Sequence, residues 1–197
     1  MSRLELPVAP RPTGVDTSRG GGNPVASMRW VRTVVLFLLG TLAAAAIAQD
    51  SDVFIQREKT PAPAFSLPDL SGKTLDSKQL AGKVAVLSFG ATWCTSCTSE
   101  LKSLENLQAK FPNDLAVYFV AMDGRGEKDV KPYLEKHGNT IHTLLDPKMA
   151  VARKNGIRWL PVTLVLNRKG VIVGRAIGPR EWDGKEALEF IQPLLGK

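Results

Sequence analysis

The sequence predicts an α/β domain, a mixed central β-sheet with helices on both faces, over residues 61–197. Three observations predict it. Val84-Ala85-Val86-Leu87-Ser88-Phe89 and Leu115 to Met122 are mostly apolar runs suited to strands buried on both faces. Helical periodicity fills the segments between strands. A hairpin pattern, Val162 to Leu166 and Val171 to Arg175 around Asn167-Arg168-Lys169-Gly170, then precedes a terminal helix from Gly184 to Leu195.

In chain order, Pro61-Ala62-Pro63-Ala64-Phe65 opens an extended segment and Ser71-Gly72 reads as a hairpin turn. After Cys94 one helical face carries Leu101, Leu104, Leu107 and Phe111, and Pro112-Asn113-Asp114 stops it. Asp129 to His137 reads as a helix closed by Gly138-Asn139. Asp146-Pro147 opens another that ends near Gly156.

The N-terminal quarter differs in kind. Residues 1–27 are rich in Pro, Gly and Arg without periodicity and read as a disordered extension, or as sequence upstream of a true start at Met28. Residues 28–48 read as a signal peptide: Arg29 and Arg32 precede the apolar run from Val34, which ends in Ala46-Ile47-Ala48. The run from Val34 to Ala48 is shorter than the roughly 20 residues of a transmembrane helix, with an uncleaved anchor as the alternative. Cleavage after Ala48 would leave residues 49–60 as a polar linker. An exported, periplasmic or otherwise extracytoplasmic product follows.

Hydrophobic residues make up 44% of the chain, enough for a conventional core without a structural staple. The formal charge is +7, of which residues 1–48 hold +3. The rest is spread along the chain with no basic run interleaved with aromatics, so nucleic acid is not an expected partner.

The two cysteines stand in Trp93-Cys94-Thr95-Ser96-Cys97, between a buried strand and an amphipathic helix. Two intervening residues let the sulfurs reach bonding range across the first helical turn. The helix N-terminus favours a thiolate at Cys94, so Cys94 is expected to attack and Cys97 to resolve the mixed disulfide. A structural disulfide this short closes almost no loop entropy. A zinc site lacks a second ligand pair, because His137 and His142 are far off and out of ligand spacing. No cofactor or metal is expected.

These residues resemble the TlpA/ResA-like branch of the thioredoxin superfamily over roughly residues 61–178. The shared stretches are Pro63-Ala64-Phe65-Ser66-Leu67, Leu80-Ala81-Gly82-Lys83-Val84, Phe89 to Cys94, and Leu160-Pro161-Val162-Thr163 before the Lys169-Gly170 turn. The resemblance implies a thioredoxin-like fold and an exported thiol:disulfide oxidoreductase that reduces disulfides in exported proteins. A membrane electron donor would re-reduce it, and apocytochrome c is the best-known substrate class. It implies a cis bond before Pro161 beside the disulfide, and marks Trp93, Leu160 and Pro161 as substrate-binding or positioning residues. It also marks Glu100, which matches an acidic residue three positions after the second cysteine, as a catalytic candidate. The alternative for Glu100 is a solvated acid on an early helical turn.

Two departures stand out. Ser96 replaces the proline common before the second cysteine, and Ser88 stands where thioredoxin has a buried aspartate, so proton handling passes to Glu100, water or another group. A disulfide-forming oxidant and a Cu(I)-delivery protein are the competing functions. The family's copper carriers, however, space their cysteines by three residues rather than two. The Pro-x-x-x-Thr-x-x-Cys pattern of peroxiredoxins is absent around the pair.

Overall fold

The computed structural model describes residues 55–196. The expectations for residues 1–48, and for the first part of the linker, lie outside the described residues. Eight strands and five helices follow in order: β1 (Gln56–Pro61), β2 (Ser66–Pro68), β3 (Thr74–Asp76), β4 (Val84–Gly90), α1 (Thr95–Thr98), α2 (Leu101–Lys110), β5 (Leu115–Ala121), α3 (Glu127–His137), β6 (Thr143–Leu145), α4 (Ala150–Lys154), β7 (Val162–Leu166), β8 (Val171–Ile177) and α5 (Lys185–Leu195). Six strands form one sheet in the order β1-β8-β7-β4-β5-β6, and β2 and β3 make a separate hairpin.

β4 is buried along its whole length because it pairs on both sides, parallel to β5 and antiparallel to β7. Alternate side chains feed two cores. Val84 and Val86 join Leu101, Leu104 and Leu107 of α2, Val130 and Leu134 of α3, and Ile191 of α5. Ala85, Leu87 and Phe89 join Val151 and Ala152 of α4 and Leu67 of the hairpin. The steps β4–α2–β5 and β5–α3–β6 advance in the same direction along parallel strands, so right-handed crossovers carry both helices to one face. The chain then reverses through α4 over the other face to reach β7.

Three elements depart from the sequence expectation. β1 begins at Gln56, inside the segment read as a linker, and pairs antiparallel with β8. Its residues are almost all exposed, so it shows no apolar period. Backbone pairing holds it, together with Glu58, which accepts a 2.9 Å hydrogen bond from Arg175 Nε. β6 is only three residues long and follows α3 without a sequence marker. The expected continuous helix after Cys94 is broken at Ser99-Glu100 into α1 and α2. Thr98, Ser99 and Ser103 each turn a hydroxyl onto the carbonyl three residues back, which competes with the helical ladder.

Candidate active site

The C-terminal end of β4 sets the site. Met122 N–H bonds to Gly90 O, and the chain then turns through Ala91 to Trp93, with Cys94 N–H on Ala91 O at 3.1 Å. Buried Asp123, just beyond β5, accepts the Thr92 backbone N–H at 3.1 Å and the Thr92 hydroxyl at 2.5 Å. That pair of bonds fixes the turn immediately before the cysteines. Cys94 caps α1, Cys97 lies within it, and the two form a disulfide with Cα atoms 5.3 Å apart. Cys97 is fully buried, whereas Cys94 is half-buried with Ser96 Oγ 3.4 Å from its sulfur.

Gly90 is required by this packing. A Cβ there would stand 2.6 Å from Phe119 Cε2 and 2.8 Å from Cys97 Cβ. The strand's missing side chain is the space into which Cys97 packs.

The Leu160–Pro161 peptide is cis. Phe89 pairs with Val162, so the antiparallel register carries Pro161 opposite Gly90, at the end of the sheet from which the cysteine turn departs. Pro161 is buried, Leu160 half-buried and Trp93 72% exposed. Trp159, 65% exposed on the same loop, is a further candidate outside the expected set, and its sequence signal is a large aromatic beside Leu160-Pro161. His137 lies at the end of α3 against the Tyr133 carbonyl and ring, and His142 lies against Tyr118. Among the described residues no three His, Cys, Asp or Glu side chains gather as a metal site.

Glu100 is not a solvated acid. It is 2% exposed, and three groups donate to its carboxyl. Ser88 Oγ donates to Oε1 at 2.6 Å; the Arg180 backbone N–H and the Trp182 indole Nε1–H donate to Oε2 at 3.1 and 3.3 Å. Burial pushes this carboxyl above the usual carboxylate range, and the hydrogen bonds and the Arg180 charge offset that only in part. Trp182, fully buried, is a site residue that sequence reasoning missed; a lone tryptophan in the polar run Arg180-Glu181-Trp182-Asp183 was its only signal.

A raised folded-state pKa means the protonated form is favoured by folding. The associated stability is present below the ordinary value of 4.5 and is lost as pH rises through the raised pKa. Glu100→Gln, which cannot ionise, is therefore expected to match the parent at the acid end. It should gain on the parent as pH climbs from 4.5 through the raised value, then hold a constant advantage. Urea unfolding of both proteins across this range checks it; an advantage that does not grow with pH refutes the assignment.

A dithiol–disulfide pair at a strand-to-helix turn, one sulfur reachable and one buried, beside a cis-proline loop on a mixed sheet, defines a thioredoxin-fold redox protein. Comparison with known proteins agrees. The AhpC/TSA family profile matches residues 59–175. The thioredoxin-like protein YneN of Bacillus subtilis is 32% identical over 155 residues, covering 76% of this chain and 90% of that one. The thiol-disulfide oxidoreductase ResA of Halalkalibacterium halodurans is 26% identical over 167 residues, covering 83% and 95%. Among solved structures, a thioredoxin-family thiol:disulfide interchange protein from Chlorobium tepidum superposes with a TM-score of 0.59 at 27% identity, covering 72% of this chain and 99% of that one. The chain belongs to the AhpC/TSA family and, within the thioredoxin superfamily, is a TlpA/ResA-like thiol:disulfide oxidoreductase.

Proposed function

We propose that this enzyme works outside the cytoplasm as a disulfide reductase, with Cys94 attacking, Cys97 resolving and Glu100 exchanging the proton that accompanies thiol chemistry at Cys97. The observation that carries the proposal is the asymmetry of the pair: Cys94 is partly open to a partner, whereas Cys97 is fully buried and Glu100 is buried three residues further on. In the forward direction the Cys94 thiolate attacks a substrate disulfide, forms a mixed disulfide and releases one substrate thiolate. Cys97 gives its proton to ionised Glu100 and attacks Cys94 Sγ; the Cys94–Cys97 bond forms as the mixed-disulfide bond breaks, and the second substrate thiolate leaves with the electron pair of that broken bond. Two electrons have passed to the substrate, and a membrane electron donor returns them. Trp93, Leu160 and Pro161 are the proposed positioning surface for the substrate chain, and exposed Trp93 supports that role.

The arginine-flanked apolar run ending in Ala46-Ile47-Ala48 supports export. Among the described residues no helix is long and apolar enough to cross a membrane. Likeness to a protein named a thiol-disulfide oxidoreductase supports the reaction, and the TlpA/ResA-like sequence pattern is the ground for proposing exported disulfide-bearing proteins as substrates, apocytochrome c among them.

Equilibration against glutathione or dithiothreitol buffers tests the direction of the reaction. A reductase is expected to be more reducing than about −180 mV, the poise of protein disulfide isomerase. A midpoint more oxidising than about −150 mV would overturn the reading in favour of a disulfide-forming oxidant.

A further inference from the structure

Three donors surround one buried carboxyl, and they are chemically unequal. The Arg180 N–H and the Trp182 indole N–H can only donate, and both aim at Glu100 Oε2. The Ser88 hydroxyl, 2.6 Å from Oε1, can donate or accept by rotating about its own bond. A proton on Oε2 would set an O–H against two N–H groups. A proton on Oε1 meets a hydroxyl oxygen able to receive it.

We propose that Ser88 and Trp182 are positioning residues for Glu100: Trp182, with the Arg180 backbone, holds Oε2 as a permanent acceptor, and Ser88 makes Oε1 the atom that gains and loses the proton. When Glu100 is ionised, Ser88 donates to it; when Glu100 is protonated, Ser88 turns and accepts. The serine thus takes part in this site without being acidic itself, at the position where thioredoxin has a buried aspartate. Its partner carboxyl arrives from the junction of α1 and α2 instead of from β4.

The groups facing Glu100 come from three segments. Cys97 precedes it by three residues on its own segment and Ser103 bonds its carbonyl at 2.8 Å. Ser88 faces it from β4, and Arg180 and Trp182 from the loop between β8 and α5, with the Arg180 guanidinium contributing a favourable charge. A hydrogen bond to an ionised carboxylate is roughly twice as strong as one between neutral groups. Loss of either side-chain donor therefore disfavours the ionised state more than the protonated one.

This assignment rests on the proposed proton role of Glu100 for its catalytic meaning, but its test does not. The oxidised protein, in which no thiol titrates, is labelled with carbon-13 at glutamate Cδ, and the Glu100 resonance is identified by its loss in Glu100→Gln. Ser88→Ala, which removes one buried oxygen and no bulk, is expected to move the Glu100 titration further upward, and Trp182→Phe to do the same. The infrared C=O band of the protonated carboxyl reports where the proton sits. It should rise more in Trp182→Phe, which strips a donor from the carbonyl oxygen, than in Ser88→Ala. A Ser88→Ala titration superimposable on the parent overturns the proposal, and the opposite order of band shifts puts the proton on Oε2 and overturns it as well. If the titration moves while Glu100→Gln leaves the pH profile of Cys94 alkylation unchanged, the positioning stands and the proton role of Glu100 falls.

Discussion

Cys97→Ser protein mixed with a disulfide-bearing substrate is expected to accumulate a mixed disulfide through Cys94, whereas Cys94→Ser should trap almost none. The reason is steric before it is chemical. Cys97 has no exposed surface, packed as it is against the site left open by Gly90, so an incoming disulfide cannot reach its sulfur. Cys94 is half-buried at the start of α1, where N–H groups without helical partners favour a thiolate. In the proposed order of attack, Cys97 then resolves the mixed disulfide from within the same turn of chain. Effective molarities of well-oriented intramolecular reactions are about 10⁵ M or more. Its removal should therefore extend the life of the mixed disulfide by orders of magnitude. Non-reducing electrophoresis after alkylation reads the result, and equal trapping by the two variants would remove the assigned order of attack.

Gly90→Ala is expected to be the most damaging single-methyl change in the domain's redox end. The added carbon would meet Phe119 Cε2 at 2.6 Å and Cys97 Cβ at 2.8 Å, and neither residue has any exposed surface through which to yield. Overpacking of this kind costs about 1–3 kcal/mol. The cost should differ between redox forms, because the disulfide fixes Cys97 and the free thiol lets it shift. The oxidised form should then lose more, and the couple becomes more oxidising by about 30 mV for each 1.4 kcal/mol of difference. Urea midpoints of both forms and the reduction potential give two independent measurements of that difference. Equal losses in the two forms with an unchanged potential would show that the strand relaxes away from Cys97.

Much of this was legible in the sequence, for identifiable reasons. Buried strands write themselves as apolar runs, so β4, β5 and the β7–β8 hairpin could be read directly, and the two cysteines could be placed at a strand-to-helix turn. β1 could not, because an exposed edge strand needs only backbone partners and its Gln-Arg-Glu-Lys-Thr composition is that of a solvated tether. The break between α1 and α2 was hidden because helical spacing of Leu101, Leu104 and Leu107 says nothing about hydroxyls bonding to carbonyls. Glu100 is legible as a candidate through the ResA-like pattern, which places an acid three positions after the second cysteine. Its burial depends on Trp182, 82 residues away in the chain, and no local pattern announces a contact of that range.

The two-residue interruption at Ser99-Glu100 also has a mechanical meaning. An unbroken helix would couple the cysteine turn rigidly to the leucines that anchor it in the core, so any rearrangement at the sulfurs would have to tilt the whole rod. Here the ladder is interrupted between the four-residue helix that Cys94 caps and Cys97 occupies and a ten-residue helix whose Leu101, Leu104 and Leu107 are buried in the core. Glu100 at the junction is tethered to β4 through Ser88 and to the loop before α5 through the Arg180 N–H. A change of covalent state at the sulfurs thus acts first on one short turn of chain, with a hydrogen-bonded residue fixed between it and the helix below.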